Sequence, residues 1–292
     1  MRITPNDCGR NCLLALLIIL VGGSSTAAAY ERSLTTEGLG ISWCANGVRI
    51  PYVLNEKGSD DVPFEALEAA VVQSFDAWSS EACTGLDLAY EGITDSAFVG
   101  RAQSGENENL VVFQETEADW IHPRDVIALT TVTYCRQAGG LCKYIGHILD
   151  ADIELNGAYV AFSVDDNPPA QRFDVQNSLT HEVGHLIGFD HNCSEAAGSC
   201  SRRDREATMY ESAPAEEVQK RTLAADDLEG VCAVYPIEAS GQKCEETVVV
   251  DTDDAETAAG TGCDCRVHRE GRGGAGAFWL LALCGLRFRW NR

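Results

Sequence analysis

Residues 179–191 read LTHEVGHLIGFDH and place three of the six histidines of this 292-residue chain, with one glutamate among them, close together. In the surrounding stretch 174–188, apolar residues recur at the spacing of a helix with about 3.6 residues per turn. These apolar positions fall on one arc, which we expect to face the core: Val175, Leu179, Val183, Leu186 and Ile187. His181 and His185 are four residues apart, so they project together from another side of the helix. The stretch therefore predicts a core helix that carries two adjacent imidazole groups.

The residues that follow this helix indicate a metal site. Gly188 tolerates the left-handed conformation in which a chain turns sharply, so we expect it to end the helix and let His191 return towards the first two histidines. Three neutral histidines leave the fourth position of a tetrahedral zinc ion open for water, as a catalytic site requires. Zinc lowers the pKa of that water and polarises a neighbouring carbonyl group, and Glu182 is placed to take the proton. We therefore predict His181, His185 and His191 as zinc ligands and Glu182 as the catalytic general base.

Two other interpretations of this cluster are open at the level of sequence. The histidines could be ordinary helix-surface or core residues, although a glycine and a third histidine at these offsets make a chance match rare. Alternatively, the zinc could belong to a module that binds without turnover, which the presence of Glu182 argues against.

The segment HEVGHLIGFDH (181–191) matches the metzincin signature H-E-x-x-H-x-x-G-x-x-H of zinc peptidases. Metzincins also place a methionine in a turn beneath the zinc, and ATMYES (207–212) supplies Met209, one of only two methionines in the chain. Among metzincins the chain most resembles the matrixins, because Tyr210 directly follows Met209, whereas Glu211 stands where astacins have a zinc-binding tyrosine. Three further segments resemble the first strand, first helix and final helix of matrixins: RIPYVLN, SFDAWSS and LAADDLEGVCAVYP.

The matrixin resemblance covers about residues 45–236 and implies an α+β fold, with a twisted, mostly parallel sheet, an antiparallel edge strand and three helices. It implies that DVIALTTVTY (125–134) is the edge strand, where a protein or peptide substrate in extended conformation would pair through backbone hydrogen bonds. An ordinary internal strand is the alternative. The cysteine-switch motif of matrix metalloproteinases is missing, and His122 and His147, expected at the surface, do not match the ligands of a second zinc. The family and the acidic segment LDADIE (149–154) also suggest calcium, although acidic runs are usually solvated.

Hydrophobic periodicity elsewhere predicts further elements of this domain. Helices are expected at 63–78, which opens with Pro63, and at 223–235, which Pro236 closes. β-Branched and aromatic residues between turn signals predict strands at 47–55, 109–113, 126–135 and 147–156.

The beginning of the chain has the pattern of a secretory signal peptide, which we assign to residues 1–29. Arg2 and Arg10 precede an apolar run at 12–21, and a small-residue stretch ends at Ala29. The apolar run is too short to span a bilayer as an anchor.

The end of the chain resembles a sorting signal. The peptidase-like domain is expected over 30–236, followed by an acidic linker at 237–262 that is rich in Ala, Thr, Asp and Glu. Residues 263–292 contain a cysteine motif, an apolar run at 274–286 and terminal arginines, and they resemble the MYXO-CTERM tag of myxobacterial surface proteins. The resemblance implies a short hydrophobic helix in the tail and an extracellular or cell-surface location in a bacterium, with membrane contact only through the tag.

Charge and cysteine content limit the partners and the compartment. Residues 30–262 carry 14 Lys and Arg against 42 Asp and Glu, a net charge of −28, which disfavours nucleic acid as a partner. Thirteen cysteines indicate an oxidising compartment. We predict the local disulfides Cys135–Cys142 and Cys193–Cys200. Cys44–Cys83 and Cys232–Cys244 are compatible with the spacing, but sequence does not determine connectivity.

Together these patterns predict a secreted or surface-attached zinc-dependent endopeptidase, which hydrolyses peptide bonds through a zinc-bound water activated by Glu182. The main alternative is a non-catalytic, zinc-containing surface binding module. A third is a structural surface protein held by disulfides. The sequence identifies neither the substrate nor the oligomeric state.

Overall fold

The computed structural model describes residues 30–44, 49–102, 107–196, 198 and 200–237, together with the backbone of 284–287. The expected signal peptide, almost all of the acidic linker and most of the tail therefore lie outside the described residues. Among the helices of the described part, none combines the length and the apolar content needed to cross a membrane.

The fold is α+β, and most predicted elements are present with small shifts of their ends. The helices are α1 (Phe64–Ser79), α2 (Val175–Leu186), α3 (Arg202–Glu206) and α4 (Ala225–Val234), with a 3₁₀ turn at Gln219–Arg221. The first five strands are β1 (Glu31–Arg32), β2 (Arg49–Asn55), β3 (Asp87–Thr94), β4 (Leu110–Phe113) and β5 (Val126–Tyr134). The remaining strands are β6 (Ile148–Leu155), β7 (Phe162–Ser163), β8 (Phe173–Asp174), β9 (Phe189–Asp190) and β10 (Cys284–Arg287). The short helix α3 adds a fourth helix to the three that were expected.

The central sheet is mixed and has the strand order β10-β5-β6-β4-β2-β3. Strands β3, β2, β4 and β6 run parallel to one another, and β5 runs antiparallel to β6, as expected. The prediction that β5 is the edge strand is wrong, because β10 pairs antiparallel with its outer side. An outer strand offers unpaired N–H and C=O groups, and here a segment of the tail takes them up. Cys284–Arg287 thus form a strand at the end of the run that was expected to be helical.

Helices α1 and α2 pack against each other and against the sheet, and this packing holds α2 in place. The Trp78 indole N–H of α1 donates to the carbonyl oxygen of Thr180 in α2, 2.8 Å away. Phe75 of α1 stacks on Tyr52 of β2 with ring centroids 3.6 Å apart. One contact joins α1 to α2 and the other joins it to the sheet, so a buried neighbour supports the helix that carries the histidines.

Three disulfides occur among the described residues. Cys135–Cys142 and Cys193–Cys200 confirm the predicted local bonds. The pairs Cys44–Cys83 and Cys232–Cys244 are wrong, because Cys83 is bonded to Cys232. That bond joins the chain just after α1 to α4, 149 residues later, which spacing along the sequence could not reveal. The disulfides indicate an extracellular or secretory compartment.

Candidate metal centre

Local features of α2 bring the three histidines together. The helix starts at the N-cap Asp174, whose carboxylate accepts a hydrogen bond from the backbone N–H of Asn177 at 2.7 Å. It ends at Leu186, and Gly188 follows with a φ of +93°. A side chain at Gly188 would collide with the carbonyl oxygen of Ile41, so both the turn and the close approach require glycine. The chain then passes through β9 and reaches His191 beside the helix.

The Nε2 atoms of His181, His185 and His191 form a triangle in which each pair is 3.1 Å apart. The other ring nitrogens of two of these histidines face backbone carbonyls: His181 Nδ1 lies 2.7 Å from the oxygen of Thr208, and His185 Nδ1 lies 2.8 Å from that of Phe189. A carbonyl oxygen can only accept, so each Nδ1 carries the proton. In the neutral imidazole, each Nε2 then presents a lone pair to the centre of the triangle.

This donor set fits zinc. Tetrahedral zinc, with bonds of about 2.0–2.1 Å, holds its nitrogen ligands about 3.4 Å apart, close to the separations seen here. Burial lowers the pKa of His181 well below its ordinary value and lowers that of His185 as well, which favours the neutral form that binds metal. Within the described residues, no other group of three or more His, Cys, Asp or Glu side chains converges in this way.

Glu182 lies fully buried next to the first histidine, and a residue of the sheet holds it. The hydroxyl group of Thr130, in β5, contacts both the Glu182 carbonyl oxygen at 3.0 Å and the carboxylate Oε2 at 2.7 Å. The ammonium group of Lys220 is also buried nearby and donates to two backbone carbonyls. Burial lowers the pKa of Lys220 to about 8, against the attraction of Glu217, Asp227 and Glu182. Thr130 and Lys220 therefore belong to the polar surroundings of the glutamate.

The segment around Met209 forms a turn that supports the site from below. Met209 is buried against α2, where a side chain at Gly184 would collide with its sulfur atom. The Asp227 carboxylate accepts hydrogen bonds from the backbone N–H groups of Thr208 at 2.8 Å and Met209 at 3.1 Å. Because the Thr208 carbonyl oxygen contacts His181, α4 fixes the turn and the turn fixes the ring of this histidine. Thr130, Thr208 and Asp227 were not identified from the sequence, since each acts through a contact distant along the chain.

The loop after His191 carries arginines that are bound to neighbouring acids. The Cys193–Cys200 disulfide closes the loop, and the N-terminus of α3 follows with a capping box. Arg205 forms an ion pair with Glu195 at 2.7 Å, and the same carboxylate accepts from the Tyr210 hydroxyl at 3.0 Å. Tyr210 thus contacts the loop.

Two histidines and the acidic segment 149–154 differ from their predicted surroundings. The side chain of His122 is not at the surface but is buried against the carboxylate of Glu154, 3.2 Å away. His147 is half-buried and lines a cleft away from the metal centre. Asp150 and Asp152 are fully buried rather than solvated, and burial raises the pKa of both carboxylates. Calcium at this segment stays a prediction.

Comparison with known protein families gives no matching family model. Part of the chain is similar to Metalloendoproteinase 1 of Glycine max, with 34% identity over 71 residues. The match spans 24% of this chain and 20% of that protein, so the chain covers about a fifth of the length of the relative it matches.

Proposed function

We propose that this chain is an exported, zinc-dependent endopeptidase of the matrixin type. The observation that carries the proposal is the triangle of His181, His185 and His191 Nε2 atoms, together with the buried Glu182, which directly follows the first of these histidines on helix α2. The partial similarity to a metalloendoproteinase supports the same activity. Zinc held by the three histidines would supply a Lewis acid for the peptide carbonyl group and a water molecule that ionises near neutral pH.

The protein residues have separate roles in this proposal. Glu182 accepts the proton from the attacking water and passes it to the leaving amine. Thr130 is a positioning residue, because its hydroxyl donates to the Glu182 carboxylate and limits where that carboxylate points. Asp227 holds the turn at Thr208, and the Thr208 carbonyl oxygen holds the ring of His181. Such contacts fix the orientation and the protonated nitrogen of a metal-binding histidine.

The proposed substrate is a protein segment in extended conformation that pairs with β5. Thr130 lies in β5 and contacts Glu182, so a segment paired with this strand passes close to the catalytic carboxylate. The pairing of β10 with β5 supports this docking mode, because it places an extended segment on the outer side of the strand. A substrate would therefore compete with the tail for the same backbone groups. The proposed location is the bacterial cell surface or the medium, reached through the expected signal peptide and tail.

The test is cleavage of an unfolded protein by the purified chain beside a Glu182→Gln variant, with zinc counted in both. We expect cleavage by the wild type alone and about one zinc per chain in each. A Glu154→Gln variant is the matched control, because Glu154 is also buried but contacts Gln114 and His122, neither of which belongs to the triangle of histidines. Equal cleavage by the wild type and Glu182→Gln would refute the role of Glu182. Zinc without cleavage in the wild type would favour the non-catalytic binding module.

A further inference from the structure

A cleft of about 370 Å³ lies at the start of β2 and β6, and none of its lining residues belongs to the metal centre. Its charged lining is basic: Arg49, Arg101 and Lys143, with the half-buried His147 beside them. Among the described residues no acidic side chain lines it, although the chain as a whole carries a net charge of −23. Arg49 is ion-paired with Glu91, outside the lining, and the rest of the surface is largely apolar. Such a cleft fits a segment that combines carboxylates with aliphatic side chains.

Cys44 lines the same cleft and is disulfide-bonded. The three disulfides described above use six other cysteines of the domain. The partner of Cys44 is therefore a cysteine outside these three bonds. Apart from the expected signal peptide, the cysteines that remain all follow the domain: Cys244, Cys263, Cys265 and Cys284.

The chain leaves the described domain close to this cleft. The Tyr235 hydroxyl accepts a hydrogen bond from the backbone N–H of Trp43, 3.1 Å away, so the end of α4 lies one side chain's length from the residue before Cys44. The backbone N–H of Ile237 donates to the carbonyl oxygen of Cys83, at the start of the segment that leads into β3. From Ile237 an extended chain reaches Cys244 within about 25 Å, so the short connection is long enough. Among the four candidates, Cys244 closes the shortest loop and loses the least entropy.

The segment after Cys244 has the composition that the cleft requires. Residues 244–256 read CEETVVVDTDDAE, with a pair of glutamates, then three valines, then four further acidic residues. The valines match the apolar surface provided by Pro51, Leu141 and Leu149, and the acids on either side match the arginines and the lysine.

We propose that Cys244 is the disulfide partner of Cys44 and that residues 245–256 lie in the basic cleft beside this bond. Forming the bond removes two protons and two electrons from the two thiols, and a disulfide-bearing oxidant of the export compartment accepts the electrons. The acidic linker is then a docked part of the domain, and the tail leaves the domain from the rim of the cleft.

The first test needs no variant. The full-length exported protein is treated with a thiol-blocking reagent, digested without reduction and analysed by mass spectrometry. We expect one peptide pair that joins Cys44 to Cys244. Linkage of Cys44 to any other cysteine, or recovery of Cys44 as a blocked thiol, would overturn the assignment. Because this readout involves neither zinc nor turnover, its failure cannot be confused with a failure of the proposed peptidase activity.

The second test measures docking as the rate at which a glutamate-specific protease cuts at Glu245 and Glu246 in the full chain. We expect this rate to rise at least tenfold in about 1 M salt, which screens the charges, and in a Lys143→Glu variant. Lys57→Glu is the matched control, since Lys57 is also exposed but lies in a turn outside the cleft, and it should be cut at the wild-type rate. Equal rates for the wild type and Lys143→Glu, unaffected by salt, would overturn the docking even if the disulfide were found.

Discussion

Replacing Thr130 with valine removes one hydroxyl group and keeps the shape of the side chain, so it isolates the hydrogen bond that holds Glu182. The hydroxyl lies 2.7 Å from the carboxylate Oε2 and 3.0 Å from the carbonyl oxygen of the same residue. Thr130 is almost completely buried and the valine methyl group fills the place of its hydroxyl, so no water can enter there to replace the lost donor. We expect Thr130→Val to fold and to bind zinc, but to cleave peptides poorly.

The size of the effect follows from the kind of hydrogen bond. A buried hydrogen bond to a charged group contributes about 1.5–3 kcal/mol. Each 1.36 kcal/mol of lost transition-state stabilisation lowers the rate about tenfold. If the whole of this contribution stabilises the transition state, kcat/KM of Thr130→Val should fall about 10- to 150-fold. A Thr130→Ser variant keeps the hydroxyl group and should therefore retain most of the activity.

The assay is kcat/KM on a fluorogenic peptide, with zinc content and Tm measured on the same samples. Thr94→Val is the matched control: Thr94 also donates to a glutamate carboxylate, that of Glu108, but at the far edge of the sheet. It should leave kcat/KM unchanged. The reasoning is refuted if Thr130→Val keeps full activity, or if Thr130→Ser is as poor as the valine variant while both retain zinc.

Three further predictions follow from the same structure. Asp227→Asn removes one of the two carboxylate oxygens that hold the turn beside His181, so zinc affinity should fall about 10- to 100-fold in a chelator competition; unchanged affinity would contradict this support. Burial raises the pKa of Asp150 and Asp152 above their ordinary value near 4, so the folded state holds these protons more tightly than the unfolded chain, and stability should fall as the pH rises from 4 towards 8. Asp150→Asn removes one of the two charges, so it should raise Tm by a few degrees at pH 8 but hardly at pH 5. A lower Tm of the variant at pH 8, together with stabilisation of the wild type by calcium, would indicate a calcium site instead. Deletion of residues 284–292 frees the outer side of β5 for the substrate. If pairing of the tail contributes about 1.4 kcal/mol, kcat/KM should rise about tenfold. Unchanged kinetics would mean that β10 does not compete with substrate.

The parts of the site that the sequence predicted are those determined by neighbouring residues. His181 and His185 are four residues apart on one helix, and the positive φ of Gly188 lets the chain turn towards His191. Helical spacing and a glycine are local signals, so the meeting of three Nε2 atoms could be expected from the order of the residues alone.

The parts that the sequence did not predict depend on distant contacts. Thr130 reaches Glu182 across 52 positions, and Asp227 reaches Thr208 across 19, so no local pattern indicates either hydrogen bond. The strand β3 was missed because it combines Asp, Glu and Gly with its β-formers and pairs on one side only. The Cys83–Cys232 bond depends on α4 packing near the end of α1, which only the folded chain reveals.

The most direct test of the account is to remove the metal from the full-length protein and return zinc in measured fractions of one equivalent, following cleavage of an unfolded protein. The account predicts no cleavage by the metal-free protein, a linear gain up to one zinc per chain and a plateau beyond it, with no gain in a His185→Ala variant. Cleavage without metal, or a chain that stays inactive after taking up one zinc at the histidines, would contradict the claim that this triangle of histidines forms a hydrolytic centre.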